Sequence, residues 1–296
     1  MFKFQTEQKG FRISGVDFGS QPGMGRSVMV ASIFYPGHSI VEDRLECRVK
    51  MDELRKRVTA CEEVSASLGQ PVAYMLYSET EAAARSYLET MAELTEAPLF
   101  LDSPRVETKR AGMLAAAEMG IAERIVYNSL SAGSSEEEWA SLQECGVDSS
   151  VILSFNPSDM SSKGRIYLLE DGGDLLREGL LDKAERHGVA RPLIDTAATG
   201  FDQGAGACLR ALLVAKAKWG LPCGCSLHNS VETWAPLQNL DDEKKALFRY
   251  VDLAAVTLPI AAGADFVMFG PVESASRALH AAAFSDGIIS QSTAEI

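Results

Sequence analysis

Pro98-Leu-Phe-Leu-Asp102-Ser103 is the stretch of this sequence that indicates its fold. A short apolar run, bulky enough for a buried strand, ends on a carboxylate. Ser103 and Pro104 follow as a helix cap and a residue suited to the first helical turn. Apolar residues within 106–117 then recur at helical spacing. Asp102 is therefore predicted at the carboxyl end of a buried strand, the edge at which open α/β sheets and barrels bind ligands.

The same unit, a buried strand followed by an amphipathic helix, recurs about eight times. Helices are predicted after the capping boxes Ser78 with Glu81 and Ser134 with Glu137, and over 175–184, 203–219 and 272–289. The predicted strands are Val28–Phe34, Val72–Leu76, Leu99–Leu101, Ile125–Tyr127, Val151–Phe155, Leu193–Ile194, Cys223–Leu227 and Phe266–Phe269.

Continuous apolar strands alternating with helices predict a parallel sheet that is covered on its faces. Eight such units in 296 residues favour a (β/α)₈ TIM barrel over a two-domain open sheet. No low-complexity linker interrupts the sequence, so we expect residues 1–296 to form a single domain. Residues 1–25 alternate apolar and polar side chains, which predicts an N-terminal β-hairpin or plug before the barrel.

Composition excludes several classes of protein. No run of eighteen apolar residues occurs, so no membrane span is expected. The first residues contain no apolar signal core, which predicts a cytoplasmic protein. The formal charge of −13 argues against nucleic acid as a partner, because binding phosphates requires a basic surface. Six scattered cysteines are expected to be free thiols.

Polar residues stand where the predicted strands end. Asp, Asn and Ser also favour turns and helix caps for local reasons, so each alone has a structural alternative. Several together on one barrel rim indicate an active site. The set contains almost no Lys or Arg, which disfavours a phosphate site, whereas carboxylates and carboxamides suit the edge of a flat heterocycle that carries N–H donors. Its members are Ser78, Asp102, Asn128, Ser129, Asn156, Asp195, Thr196, His228, Asn229 and Ser230.

Three further features are weaker candidates. Gly204-Ala-Gly206 opens a helix and suits either an anion or close helix packing. Cys223, Cys225 and His228 resemble a zinc-ligand cluster, but strand alternation points the two cysteines to one face and the histidine to the other. His38 lies just past the first strand and is predicted to face the pocket.

Several segments together resemble a known family, that of the H subunit of tetrahydromethanopterin S-methyltransferase. The family includes bacterial relatives that move a methyl group between a corrinoid protein and tetrahydrofolate, as in glycine betaine demethylation. The similarity runs along almost the whole chain. The segments that carry it are Ser32-Ile-Phe-Tyr-Pro-Gly-His38, Leu101-Asp-Ser103, Tyr127-Asn-Ser129, Phe155-Asn-Pro157, Leu193-Ile-Asp-Thr196, Gly204-Ala-Gly206, His228-Asn229 and Gly263-Ala-Asp-Phe266 with Gly270-Pro271.

The resemblance implies a pterin-binding barrel in which Asp102, Asn128 and Asp195 hydrogen-bond the pterin ring. Asn229 corresponds to the asparagine that reaches N5, the nitrogen that carries the methyl group, and is the predicted catalytic residue. Methyl transfer of this kind needs no covalent enzyme intermediate, so catalysis would depend on positioning and electrostatics. Glu232 occupies a place where related enzymes carry a neutral amide. Candidate pocket residues are Ser129, Asn156, Gly204, Gly206, Glu232 and His38.

We therefore expect a methyltransferase that moves a methyl group from a methylated corrinoid protein to N5 of tetrahydrofolate, giving 5-methyltetrahydrofolate. The corrinoid belongs to the partner, no bound metal is expected, and relatives suggest a homodimer. Tetrahydromethanopterin is the alternative pterin, because the two cofactors share the pterin edge. Rival interpretations are a zinc-dependent corrinoid or thiol methyltransferase, dihydropteroate synthase chemistry, and a structural subunit of a larger complex.

Overall fold

Eight parallel strands close into a barrel in the computed structural model, which describes residues 3–44, 46–238 and 244–294, without the side chains of 244 and 245. Every predicted barrel strand is present, so the TIM-barrel prediction is confirmed. In their order around the barrel the strands are β3 (Val28–Ile33), β6 (Val72–Tyr77), β7 (Leu99–Asp102), β8 (Ile125–Leu130), β9 (Ser149–Leu153), β10 (Arg191–Asp195), β11 (Cys223–Cys225) and β12 (Phe266–Pro271), which pairs with β3 again.

A hairpin closes the amino-terminal end of the barrel, which confirms the predicted N-terminal hairpin. It consists of β1 (Phe11–Ile13) and β2 (Val16–Phe18). Ile13 and Phe18 are fully buried and pack against the inward-facing barrel residues. The Phe18 ring centroid lies 6.3 Å from that of Phe100 and 6.4 Å from that of Phe266. Residues 1 and 2 of the predicted 1–25 segment lie outside the described residues. A second small hairpin, β4 (Val41–Asp43) with β5 (Arg48–Val49), follows the first barrel strand.

Helices cover the outer face of the barrel. Their bounds are α1 (Met51–Leu68), α2 (Glu81–Leu94), α3 (Val106–Glu118), α4 (Glu136–Glu144), α5 (Ser162–Glu170), α6 (Leu180–Arg186), α7 (Gly206–Trp219), α8 (His228–Glu232), α9 (Ala235–Gln238), α10 (Lys244–Ala261) and α11 (Ala275–Ala294). Single 3₁₀ turns occur at Ala122–Arg124, Phe201–Gln203 and Val272–Ser274. Within the described residues, the helices are too short or too polar for a membrane span.

The predicted helix starts are displaced. Thr80, not Ser78, caps α2, because its hydroxyl accepts from the Ala83 N–H at 3.1 Å. Ser135, not Ser134, caps α4 by accepting from the Glu138 N–H at 3.2 Å. The predicted helix over 175–184 is wrong in extent: the structure has α5 before it, and α6 begins only at Leu180.

The barrel interior explains where a site can form. Side chains along a strand alternate between its two faces, so residues two apart point the same way. Val30, Phe100, Val126 and Leu193 all face the interior and are fully buried. Two residues further along the same strands, at their carboxyl ends, the inward series continues with polar side chains that include Asp102, Asn128 and Asp195.

Candidate active site

A cavity of about 480 Å³ opens at the carboxyl ends of the barrel strands. Its volume is in the usual range of small-molecule sites. Six of the ten predicted site residues line it: Asp102, Asn128, Ser129, Asp195, Asn229 and Glu232. The remaining lining residues are Ser32, Tyr35, Met75, Leu153, Ser226, His228, Met268, Gly270 and Pro271.

Asp102 and Asn128 form a bonded pair on adjacent strands. They are direct neighbours in the β7–β8 register, and Asn128 Nδ2 donates to Asp102 Oδ1 at 3.1 Å. Burial raises the pKa of Asp102 to about 6, although the nearby Lys109 ammonium and the Asn128 hydrogen bond act in the opposite direction. Lys109 is itself buried and lies 3.3 Å from Glu138. Asp102 is therefore an oriented carboxylate with a pKa close to neutrality.

Asp195 supplies a second oriented carboxylate. Its Oδ1 accepts from the Ala197 N–H at 2.8 Å, in the turn that follows β10. Burial raises the pKa of Asp195 to about 6, and the Ala197 hydrogen bond and the Arg165 charge lower it. No hydrogen bond to Oδ2 of either aspartate comes from the described residues. Each carboxylate thus keeps an acceptor for a ligand.

Asn229 stands at the mouth of the cavity in the first turn of α8. It is exposed, and its carboxamide makes no hydrogen bond to other residues in the described part of the chain. A free carboxamide at this place can donate to a bound molecule or accept from it.

His228, the neighbour of Asn229, is held in place by charged groups. Its Nδ1 lies 2.5 Å from Asp252 Oδ1, and its Nε2 lies 3.5 Å from Glu232 Oε1. Burial alone would lower the pKa of His228, but its hydrogen bonds with Asp252 and Glu232 outweigh burial and raise the pKa to about 9. Arg277 donates to the other Asp252 oxygen at 2.7 Å. The cavity wall therefore carries a fixed imidazolium at neutral pH.

Gly270 permits this arrangement by leaving room for the imidazole. A Cβ at position 270 would lie 2.6 Å from His228 Nε2, and the φ of +88° also favours glycine.

The structure places Asn156 away from the cavity, against the prediction. Strand β9 ends at Leu153, so Leu153 rather than Asn156 is the inward residue that lines the site. The buried Asn156 carboxamide oxygen accepts from the N–H groups of Ser158 and Asp159 at 2.9 and 3.0 Å. It stabilises a loop, as its local turn preference indicates.

His38 also lies behind the cavity wall, against the prediction. Its Nδ1 accepts from the Phe34 N–H at 3.0 Å, and its Nε2 is 2.8 Å from Glu273 Oε1. The Tyr35 ring stacks on the imidazole with the centroids 4.3 Å apart, and Tyr35, which the sequence interpretation did not single out, lines the cavity.

Gly204 and Gly206 are likewise absent from the cavity lining. Gly204 ends the 3₁₀ turn with a φ of +80°, a conformation that glycine adopts readily. Gly206 lines a separate, largely apolar cavity of about 240 Å³ that also contacts Leu209 and Trp234. These surroundings do not favour an anion.

Cys223 and Cys225 are buried on the helix-facing side of β11, where they pack with residues of the outer layer. His228 instead faces the cavity. Among the residues that the structure describes, no group of three or more His, Cys, Asp or Glu side chains is arranged to hold a metal ion.

Comparisons with known proteins agree with this architecture. The family model described as “Tetrahydromethanopterin S-methyltransferase MtrH subunit” matches residues 6–296. The H subunit of tetrahydromethanopterin S-methyltransferase from Methanothermobacter thermautotrophicus is 36% identical over 296 residues, covering 100% of this chain and 96% of that protein. The protein of the same name from Methanothermobacter marburgensis is also 36% identical, with the same coverage.

A solved structure also shares the fold. Dihydropteroate synthase of Xanthomonas albilineans, solved with 4-aminobenzoic acid, superposes with a TM-score of 0.60 at 16% identity, covering 98% of this chain and 100% of that one. At this identity the likeness concerns the fold alone.

Proposed function

Because the chain belongs to the family of the H subunit of tetrahydromethanopterin S-methyltransferase, we propose that it transfers a methyl group between N5 of a reduced pterin and the cobalt of a corrinoid protein. The observation that carries the proposal is the convergence of Asp102, Asn128, Asp195 and Asn229 on one cavity at the barrel rim. The cavity presents oriented acceptors deep inside and a free carboxamide at its mouth.

The two aspartates would bind the pyrimidine edge of the pterin, which offers a ring N–H and an amino group. A carboxylate can accept two such hydrogen bonds. Asp102 and Asp195 each direct one oxygen toward a protein donor, at 3.1 and 2.8 Å, and retain the other for the ligand. Asn128 is held by its bond to Asp102 and completes the polar edge.

Asn229 would act at N5. When a methyl group leaves N5 for cobalt, the C–N5 bond breaks and its electron pair remains on nitrogen, while Co(I) supplies the pair for the new bond. The nitrogen must gain positive character first, and a carboxamide can hydrogen-bond it in either state of charge. Because Asn229 has no competing partner among the described residues, its carboxamide is available for this contact.

The names of the relatives favour tetrahydromethanopterin over tetrahydrofolate, the pterin expected from the bacterial resemblance. Both cofactors share the pterin edge, so the same residues would bind either one. The proposal also includes a metal-free, single-domain chain that works in the cytoplasm as a homodimer with a corrinoid protein as partner. Light scattering and metal analysis of the purified protein test the dimer and the absence of metal.

Calorimetric titration of the purified protein with each reduced pterin tests the proposal. We expect saturable binding of at least one pterin, with tighter binding of tetrahydromethanopterin, and a large loss of affinity in Asp102→Asn. Binding of neither pterin would contradict the proposal. Tighter binding of tetrahydrofolate would reverse the choice of cofactor while retaining the reaction.

A further inference from the structure

Arg165, on α5, is a buried guanidinium with an unusual set of partners. It is only 1% exposed, yet no salt bridge joins it to a carboxylate in the described part of the chain. Its hydrogen bonds go to backbone carbonyls instead. Nε donates to Thr196 O at 2.9 Å, Nη2 to Ala197 O at 3.0 Å, and Nη1 to Ser161 O at 3.2 Å and to Met160 O. Burying a charge is costly, so an arginine retained here needs a reason.

Two of these carbonyls belong to the turn directly after Asp195. Ala197 adopts a φ of +56°, a left-handed conformation that alanine disfavours. In this conformation its N–H points at Asp195 Oδ1, 2.8 Å away, while its carbonyl receives the Arg165 bond. Thr196 is fixed on its other side by the bond from its N–H to Gly224 O at 3.0 Å. Arg165 therefore clamps the turn that orients the carboxylate.

Arg165 also supplies the positive charge that faces Asp195. The other titratable groups near this pair are the thiols of Cys208, on α7, and Cys225, on β11, with Asp159 beside Arg165. None of these three is a cation. The Arg165 charge lowers the pKa of Asp195 and so offsets part of the effect of burial.

We propose that Arg165 is a positioning residue for Asp195, acting through both the clamped turn and its buried charge. It would hold one carboxylate oxygen on the Ala197 N–H and keep the group ionised, so that the other oxygen can accept from the ligand. The identity of that ligand as a pterin rests on the function proposed above, whereas the action of Arg165 on Asp195 does not.

Variants at position 165 separate the charge from the hydrogen bonds. Arg165→Gln removes the charge, and Arg165→Lys keeps it but loses the planar fork of donors. Arg177→Gln is the matched control, because Arg177 is exposed and lies between α5 and α6. Circular dichroism of each variant establishes that it is folded before the measurements begin.

The first readout is the titration of the Asp195 carboxyl carbon by NMR without ligand, assigned with Asp195→Asn. We expect Arg165→Gln to raise the midpoint by about one pH unit, the change typical of losing a nearby opposite charge. Arg165→Lys and Arg177→Gln should leave the midpoint near that of the unaltered protein. An unchanged midpoint in Arg165→Gln would overturn the proposal.

The second readout is pterin affinity as a function of pH. A midpoint raised by one unit predicts binding about fivefold weaker at pH 6 in Arg165→Gln, with a smaller loss at pH 7. Arg165→Lys should weaken binding without moving the pH profile. If Arg165→Gln does not fold, Arg165→Lys decides the question, because affinity equal to that of Arg177→Gln would refute the clamp. Absence of pterin binding in the unaltered protein would contradict the proposed function, while the ligand-free titration would still test Arg165.

Discussion

Replacing Asp195 by Asn should stabilise the free protein at neutral pH and weaken ligand binding at the same time. Burial raises the pKa of Asp195 from 3.8 to about 6, so the folded protein binds this proton more tightly than the unfolded chain does. Stability contributed by the protonated carboxyl is therefore lost as pH rises from about 4 to about 6, and it remains lost above that range. Asparagine has nearly the same shape and never ionises.

The structure sets the size of both effects. A pKa raised by about two units corresponds to about 3 kcal/mol of unfolding free energy that Asp195→Asn should regain at pH 7.5. The asparagine oxygen can still accept from the Ala197 N–H, so the turn after β10 keeps its support. For the ligand, the loss of a charge-assisted hydrogen bond costs about 1.5–3 kcal/mol, which is roughly a 10- to 150-fold rise in Kd.

Urea denaturation of the ligand-free proteins between pH 5 and pH 8, together with pterin titrations, measures both effects. Asp202→Asn is the control, because Asp202 is an exposed acid in the 3₁₀ turn of the same loop. The stability gained by Asp195→Asn should shrink by about half at pH 5. A variant that is less stable than the unaltered protein at pH 7.5, or whose gain does not depend on pH, would refute the reasoning.

Three further predictions concern the same cavity. Asn229→Ala should reduce the single-turnover rate of methyl transfer far more than pterin affinity, and an equal loss in both measurements would exclude its catalytic role. Pterin affinity of the unaltered protein should fall below about pH 6, because protonation of Asp102 and Asp195 removes acceptors. Calorimetry across pH should show a shallower fall in Asp102→Asn, and an unchanged slope would count against that assignment. Asp252→Asn should lower the pKa of His228 from about 9, because it removes the carboxylate bonded to Nδ1. NMR titration of the imidazole measures this, and an unchanged midpoint would show that Asp252 does not hold the charge.

The barrel and the central site residues could be predicted from the sequence because strand geometry is simple. Inward side chains recur every second residue, so a polar residue two positions after a buried apolar one faces the barrel axis at the strand end. Phe100 with Asp102, Val126 with Asn128, and Leu193 with Asp195 all follow this rule. Ser129 and Asn229 were predicted from neighbouring strand ends and also line the cavity.

The residues that prediction misplaced are those fixed by local hydrogen bonds. Asn156 was assigned to a strand end because the strand was drawn two residues too late, and its carboxamide caps a loop instead. His38 precedes no regular element that fixes its direction, so the sequence did not reveal that Tyr35 covers it.

The charged support of His228 was missed for a different reason. Asp252 lies on α10, which has no counterpart among the predicted helices, and reaches His228 from 24 residues away. Contacts between distant helices have no signature in a local pattern. A signal for the other missed helix, α1, does exist: Leu54, Val58 and Cys61 recur at spacings of four and three and are its buried residues.

The most direct test of the proposed reaction is an anaerobic spectrophotometric assay. It follows the conversion of cob(I)alamin to methylcobalamin with N5-methyltetrahydromethanopterin as donor, and with N5-methyltetrahydrofolate in parallel. We predict a protein-dependent rate with at least one donor that collapses in Asn229→Ala while pterin binding persists. A pterin-binding protein that forms no methylcobalamin with either donor, even with a corrinoid protein added, would contradict the account.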